Sequence, residues 1–298
     1  MTELDQILSE TEQEQRQDDM RLSKEEFAAM KKAERDAAYQ LADQTALDVA
    51  ADGGKFQGYL DVQTRFGRYF ETNALLVLAQ NPSATRLGDF SHWKKQNCPV
   101  KSGETGISII EPGKNYVRTD GTVGVGFDVK KVFDISQVDV SKMKPTPPKP
   151  QPTEQQLLKS LVAHAFVRIE LADSLPGNAG AVYDRASDTI SVQRGMEFSD
   201  TFRNLAQELA LADLTTGPDT QANPYFSAYC ASYMLCQKYG VDTQSFSFDD
   251  VEDVLGGMDV QEIKGELSQI RDAAAGVSER MSRTLEPQNR GARDNGAR

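Results

Sequence analysis

Histidine is nearly missing from this chain of 298 residues: there are two, His92 and His164. That count alone excludes a metal site built on several histidines. Cysteine is scarce as well. Cys98, Cys230 and Cys236 do not make a disulfide framework. Cys230 and Cys236 fall on one expected helix, where a rise of ~1.5 Å per residue puts their Cα atoms about 9 Å apart, too far to bridge. A reducing cytoplasm fits this cysteine usage. No run of ~18 apolar residues occurs, so a membrane-spanning helix is not expected. The acidic N-terminal stretch has no apolar run and does not fit a secretory signal. Basic side chains are outnumbered, 33 to 45, for a net charge of −12. Taken as an average, that balance argues against nucleic acid.

The average hides an asymmetry. Residues 1–54 carry 6 basic and 14 acidic side chains, net −8. Residues 55–150 carry 14 and 9, net +5, and residues 151–298 carry 13 and 22, net −9. One basic segment sits between two acidic ones. With 39% hydrophobic residues the chain can build a core, and its length suits roughly two domains.

In chain order, 1–54 reads as an acidic leader with one helix, started by the Ser23/Glu26 capping-box pattern and ended at Gly53-Gly54. Residues 1–22 are too polar to order themselves. Residues 55–141 form the basic domain. Helical spacing over 56–79 predicts a helical pair or one long helix, broken by Pro82. A short helix is expected over 87–96, holding Phe90, His92 and Trp93. The period then changes to two. Residues 107–110 read as a strand closed by Pro112-Gly113, and 116–118 and 123–133 as further strands around the Asp120-Gly121 turn. The Pro/Lys-rich 142–153 is a linker. The last domain, 154–283, reads as a helix over 154–171, a hairpin (181–184 with 189–192) and helices over 202–214, 224–239, 248–255 and 260–281, with a polar tail at 284–298. The fold class is α+β: a small helix-plus-antiparallel-sheet domain, then a mostly helical one with a short hairpin.

The 202–214 helix carries the one catalytic outline, Gln207-Glu208-Leu209-Ala210-Leu211. In the zinc helix H-E-x-x-H two histidines on one face bind the metal and the Glu serves as general base. Here the Glu remains and both histidine positions are lost. Glu208 is therefore weighed as a vestigial base against an ordinary carboxylate, and the carboxylate reading is preferred. An alternative metal site using Glu197, Asp200 or Asp213 has no supporting spacing. His164, among Leu161, Val162 and Phe166, reads as a partly buried structural histidine.

In the basic segment, Arg65, Arg68, Arg86, Lys94, Lys95, Lys101, Lys130 and Lys131 are candidates for a phosphate-tracking groove, against a plain solvated face. Lys130 and Lys131 would face opposite ways on a strand. Tyr69 and Trp93 stand evenly between base-stacking platforms and core; Phe66 and Phe90 read as core. Asn73, one helical turn after Tyr69, fits a base or phosphate contact as well as an internal hydrogen bond.

These residues bring out a resemblance. The basic segment resembles the N-terminal single-stranded-DNA-binding domain of ArdC-like antirestriction proteins of conjugative plasmids and integrative elements. It rests on Phe66-x-x-Tyr69, Asn73-Ala74-Leu75-Leu76, Gln80-x-Pro82-x-Ala84-Thr85-Arg86, Phe90-x-x-Trp93, Lys101-x-Gly103-Glu104-x-Gly106-Ile107-x-Ile109 and the run from Val132 to Gln137. The acidic segment that follows resembles the family's zincin-like metallopeptidase domain through Tyr183-Asp184, Ile190-x-Val192, Leu205 to Ala210, and Ser232-Tyr233-x-x-Cys236 leading to Phe246-Ser247-Phe248. It covers about residues 55–250.

The resemblance puts zinc ligands at Gln207, Leu211 and near Tyr229, none of which suits the metal. What it implies is the fold, with no catalytic residue, no metal and no cofactor. The expected function is a non-catalytic, antirestriction-like single-stranded-DNA-binding protein with a pseudo-metallopeptidase domain as scaffold. The residues carrying it are Arg65, Arg68, Tyr69, Asn73, Arg86, Trp93, Lys94, Lys101 and Lys131. Expected partners are single-stranded DNA and a host defence or conjugation protein, with no membrane. Two alternatives are a module that blocks a host defence nuclease through acidic surfaces and an active metallopeptidase with atypical ligands.

Overall fold

The computed structural model describes residues 23–118, 120–143, 150–216 and 223–286. The acidic stretch 1–22, the middle of the Pro/Lys linker (144–149) and most of the tail fall outside the described residues. Helix α1 spans Lys24–Ala50 and is started by the expected capping box, with both reciprocal bonds between Ser23 and Glu26. Its first half is exposed. Its second half buries Ala38, Ala42, Ala46, Val49 and Ala50, a narrow stripe of small side chains that lets the helix lie close on its neighbours. Gly53-Gly54 does not end this helix; it begins the next one, α2 (Gly53–Arg65), with Asp52 as N-cap accepting from Lys55 N. Glycine is needed at 53 because a Cβ there would collide with Phe248 O. Helix α3 spans Glu71–Gln80, so the helical stretch is a pair.

The first sheet has strand order β1-β3-β2, all antiparallel: β1 (Leu87–Asp89), β2 (Ile107–Val117) and β3 (Val123–Asp134). The expected helix over 87–96 is shorter, α4 (Phe90–Lys95), because Leu87 to Asp89 pair with β3. Pro112 does not end β2. The register shifts between Pro112 and Asn115, so the strand continues past a bulge, one of the few places where proline fits a sheet. The Asp120-Gly121 turn is present, with Asp120 Oδ1 accepting from Thr122 N at 2.9 Å.

Helix α5 spans Glu154–Ala163 and stops at His164, short of the expected 171. Strand β4 (Arg168–Ala172) follows and pairs in parallel with β6 (Thr189–Gln193), while β5 (Ala181–Asp184) pairs antiparallel with β6. The hairpin is thus two strands of a three-stranded sheet. Four helices complete the chain: α6 (Phe198–Thr215), α7 (Pro224–Tyr239), α8 (Val251–Leu255) and α9 (Val260–Leu285). The class is α+β, as the sequence indicates.

One hydrophobic core runs from Ala38 through Phe56, Leu75 and Ile109 to Phe202, Leu235, Leu267 and Met281. A smaller cluster holds Trp93, Cys98 and Val138. Helix α7 is buried along most of its length between α6, α9 and α2. Its Tyr233 hydroxyl donates to Asp61 Oδ1 of α2 at 2.7 Å and accepts from Gln57 at 3.1 Å. No described helix is long and apolar enough to cross a membrane.

Candidate functional site

Helix α6 turns Phe202, Leu205, Ala206, Leu209 and Ala212 into the core, as its apolar spacing dictates. Glu208 lies at the edge of that face, 9% exposed. Its Oε2 accepts the backbone N–H of Tyr183 on β5 at 2.8 Å, tying helix to sheet. Burial raises the Glu208 pKa above the usual carboxylate range, and the Tyr183 bond opposes this only in part. Next to it, burial and the bond to Asp188 push the Tyr183 phenol up to about 12.

The three positions where the resemblance puts metal ligands do not supply them. Gln207 offers a neutral amide. Leu211 is 4% exposed and packed in the core. Tyr229, on α7, is committed elsewhere: its hydroxyl accepts from Ser247 N at 2.9 Å and faces Ser247 O at 3.3 Å. Its ring packs on Phe246 and Phe248 at 4.9 and 5.7 Å. Burial raises its pKa, so it stays a neutral phenol. Two of the other acids are also occupied: Asp200 pairs with Arg203 at 2.7 Å and Asp213 with Arg280 at 2.6 Å. His164 is exposed at the end of α5, a correction to the partly buried place expected for it. Among the described residues no group of three or more His, Cys, Asp or Glu side chains is placed to hold a metal ion. The residues present at 207, 211 and 229 do not fit a metal.

The basic residues divide into committed and uncommitted. Trp93 is fully buried and its indole N–H donates to Phe133 O at 2.9 Å. It is a core residue, and as a stacking platform the expectation for it is corrected. Asn73 is corrected too: it is buried, and its amide donates to Ile110 O and accepts from Ile110 N, both at 2.8 Å. Arg65 clasps the carbonyls of Asp61, Pro82 and Ala84. Lys130 is neutralised by Asp89 and Glu111 at 2.9 and 3.1 Å. Tyr69 is half-buried and stacks on Phe66 at 5.8 Å. Phe90, expected in the core, is 59% exposed.

Among the other candidate cations Arg86, Lys94, Lys95, Lys101 and Lys131 have no carboxylate in ion-pair contact. Lys94 is exposed and free of partners. Lys101 Nζ donates to Ser136 O at 2.8 Å and Lys131 Nζ to Ser108 Oγ at 2.6 Å. Arg86 donates to Gln96 at 2.9 Å and lies over the Trp93 ring at 5.4 Å. Arg68 is also unpaired and lines a separate cleft. Asp134 organises this region: its carboxylate accepts from Thr85 N, Arg86 N, Ser136 N and Ser136 Oγ at 2.6 to 3.0 Å. Nothing in the sequence marked Asp134 as a hub, because its four donors come from two separate segments.

Fold and site together define an α+β protein whose buried helix α6 keeps Glu208 between Gln207 and Leu211. That fold is ArdC-like. Crystal structures of the antirestriction protein ArdC from the R388 plasmid, one metal-free and one Mn(II)-bound, match with TM-score 0.51 and 16% sequence identity, covering 72% of this chain and 85% of theirs. No protein-family model and no curated protein matches the sequence.

Proposed function

We propose that this chain is a non-catalytic, cytoplasmic single-stranded-DNA-binding protein of a mobile element, antirestriction-like in role, with the region around Glu208 serving as scaffold. The observation that carries the DNA half is the set Arg86, Lys94, Lys101 and Lys131. These charges have no carboxylate within ion-pair distance, although acids outnumber bases in the chain as a whole. Cations left unbalanced within one segment suit a polyanion whose counterions they release on binding. The vacated positions 207, 211 and 229 support the non-catalytic half, and the likeness to ArdC supports the antirestriction setting. A host defence or conjugation protein is the second partner in this reading.

The test is titration of a labelled oligonucleotide with the full chain at several salt concentrations. Affinity should fall as salt rises, with little sequence preference, and Lys94→Glu combined with Lys101→Glu and Lys131→Glu should reduce the salt slope by about two units, at ~0.7 per phosphate for single strands. Absence of binding at low salt rejects the reading. Elemental analysis of protein exposed to zinc and manganese tests the other half: a stoichiometric metal with chelator-sensitive proteolysis would restore an enzyme.

A further inference from the structure

A cleft of about 610 Å³ opens between the end of α2 with Gly67 and Arg68 just after it, α7 and α9. Its size lies in the ~300–1,000 Å³ range of small-ligand sites. Arg65, Arg68, Lys238, Arg271 and Glu279 are on its walls. Their charges do not cancel. Arg271 is matched by Glu71 and Asp272 at 3.0 and 2.7 Å, and Glu279 has Arg283 at 3.4 Å. Arg65 bonds only to backbone carbonyls, and Lys238 bonds to the hydroxyl of Ser278 while Glu286 acts on it electrostatically. Arg68 is exposed with no partner.

An aromatic ring accompanies these cations. Phe70 is 64% exposed, and the Arg271 guanidinium covers one of its faces at 5.0 Å. A single exposed phenylalanine is ordinary. Next to the Arg271 wall of the cleft and two residues from the unpaired Arg68, it supplies the second half of what an unpaired nucleotide needs, a phosphate contact and a stacking surface. A base on the open face would complete an arginine–phenylalanine–base stack.

We propose that this cleft and the Phe70 ring adjoining its Arg271 wall take one nucleotide of a single DNA strand, its phosphate between Arg68 and Lys238 and its base on the face of Phe70 that Arg271 leaves open. The proposal rests on the single-strand reading above and adds a site outside the Arg86, Lys94, Lys101 and Lys131 set. Fluorescence anisotropy of labelled oligothymidine with the full chain tests it, using Arg68→Glu and Phe70→Ala. Each variant should bind on the order of tenfold more weakly, and Arg68→Glu should also flatten the salt slope by about one phosphate contact. Both side chains are exposed, and emission of the buried Trp93 verifies that the variants are folded. If the parent binds and both variants bind as tightly, the cleft proposal is overturned and the single-strand reading stands. If the parent binds no oligonucleotide, that reading fails and the cleft proposal falls with it.

Discussion

Asn73 holds both backbone polar groups of Ile110, donating to its carbonyl and accepting from its N–H at 2.8 Å each. Two helical turns on, Gln80 does the same for Ser108, at 3.0 and 2.9 Å. The two amides act as a substitute strand along the outer edge of β2, satisfying a ladder that has no further strand. They differ in burial: Asn73 is buried and Gln80 exposed.

Asn73→Ala therefore leaves two buried backbone groups unpaired, at about 1–3 kcal/mol each. Chemical denaturation should show a loss of at least ~2 kcal/mol. Gln80→Ala should cost less than half as much, since water replaces the amide. Equal losses would show that the clasp is not what stabilises this edge.

Trp93→Ala should lower stability by about 3–5 kcal/mol, the cost of emptying a fully buried aromatic site. Among molecules that remain folded, single-strand affinity should stay within about twofold of the parent, against the several-fold or larger loss that removal of a stacking ring brings. A stable Trp93→Ala protein with lost DNA binding contradicts the buried placement.

Asp134 and Glu208 give opposite pH dependences. Burial works against the charged form of Asp134, but its four donors outweigh burial and hold its pKa below the usual aspartate value. Its stabilisation is present above the unfolded value of ~3.9 and is lost as pH falls through the lowered folded value. Asp134→Asn should thus destabilise at neutral pH, by about 2 kcal/mol for the loss of a charged acceptor. The difference from the parent should shrink in acid, as thermal unfolding across pH 2–7 would show.

Burial raises the Glu208 pKa, so the sign reverses. Its contribution is favourable below the unfolded value of ~4.3 and is lost as pH rises through the raised folded value. Glu208→Gln keeps an acceptor for Tyr183 N and removes the buried charge. It should be neutral or stabilising at pH 7 and indistinguishable from the parent in acid. A loss above ~2 kcal/mol at pH 7 would mean that the charge itself is held by a partner.

Local chemistry was legible where it is short-range. The capping box at Ser23 starts its helix, and the Asp120-Gly121 turn closes its hairpin. Strand β4 was not legible, because Leu157, Leu161 and Ile169 also satisfy a helical period. Its pairing partner β6 lies about twenty residues on, and only that pairing breaks the tie. The same holds for Gly53-Gly54, which punctuates a helix boundary in either direction until Phe248 occupies the space beside it.

The sequence by itself determined the α+β class, the concentration of basic charge between two acidic stretches, and the loss of metal ligands at 207 and 211, since residue identity alone sets ligand chemistry. Tertiary structure decided which polar groups are free. Trp93 and Asn73 read as binding residues along the chain, yet Phe133 and Ile110 claim their polar groups. Arg68 reads as one basic residue among many, yet folding sets it beside α7 and α9 without a partner. Hydrogen-bond and ion-pair commitments join residues tens to hundreds of positions apart, so their outcome appears only once the core has closed.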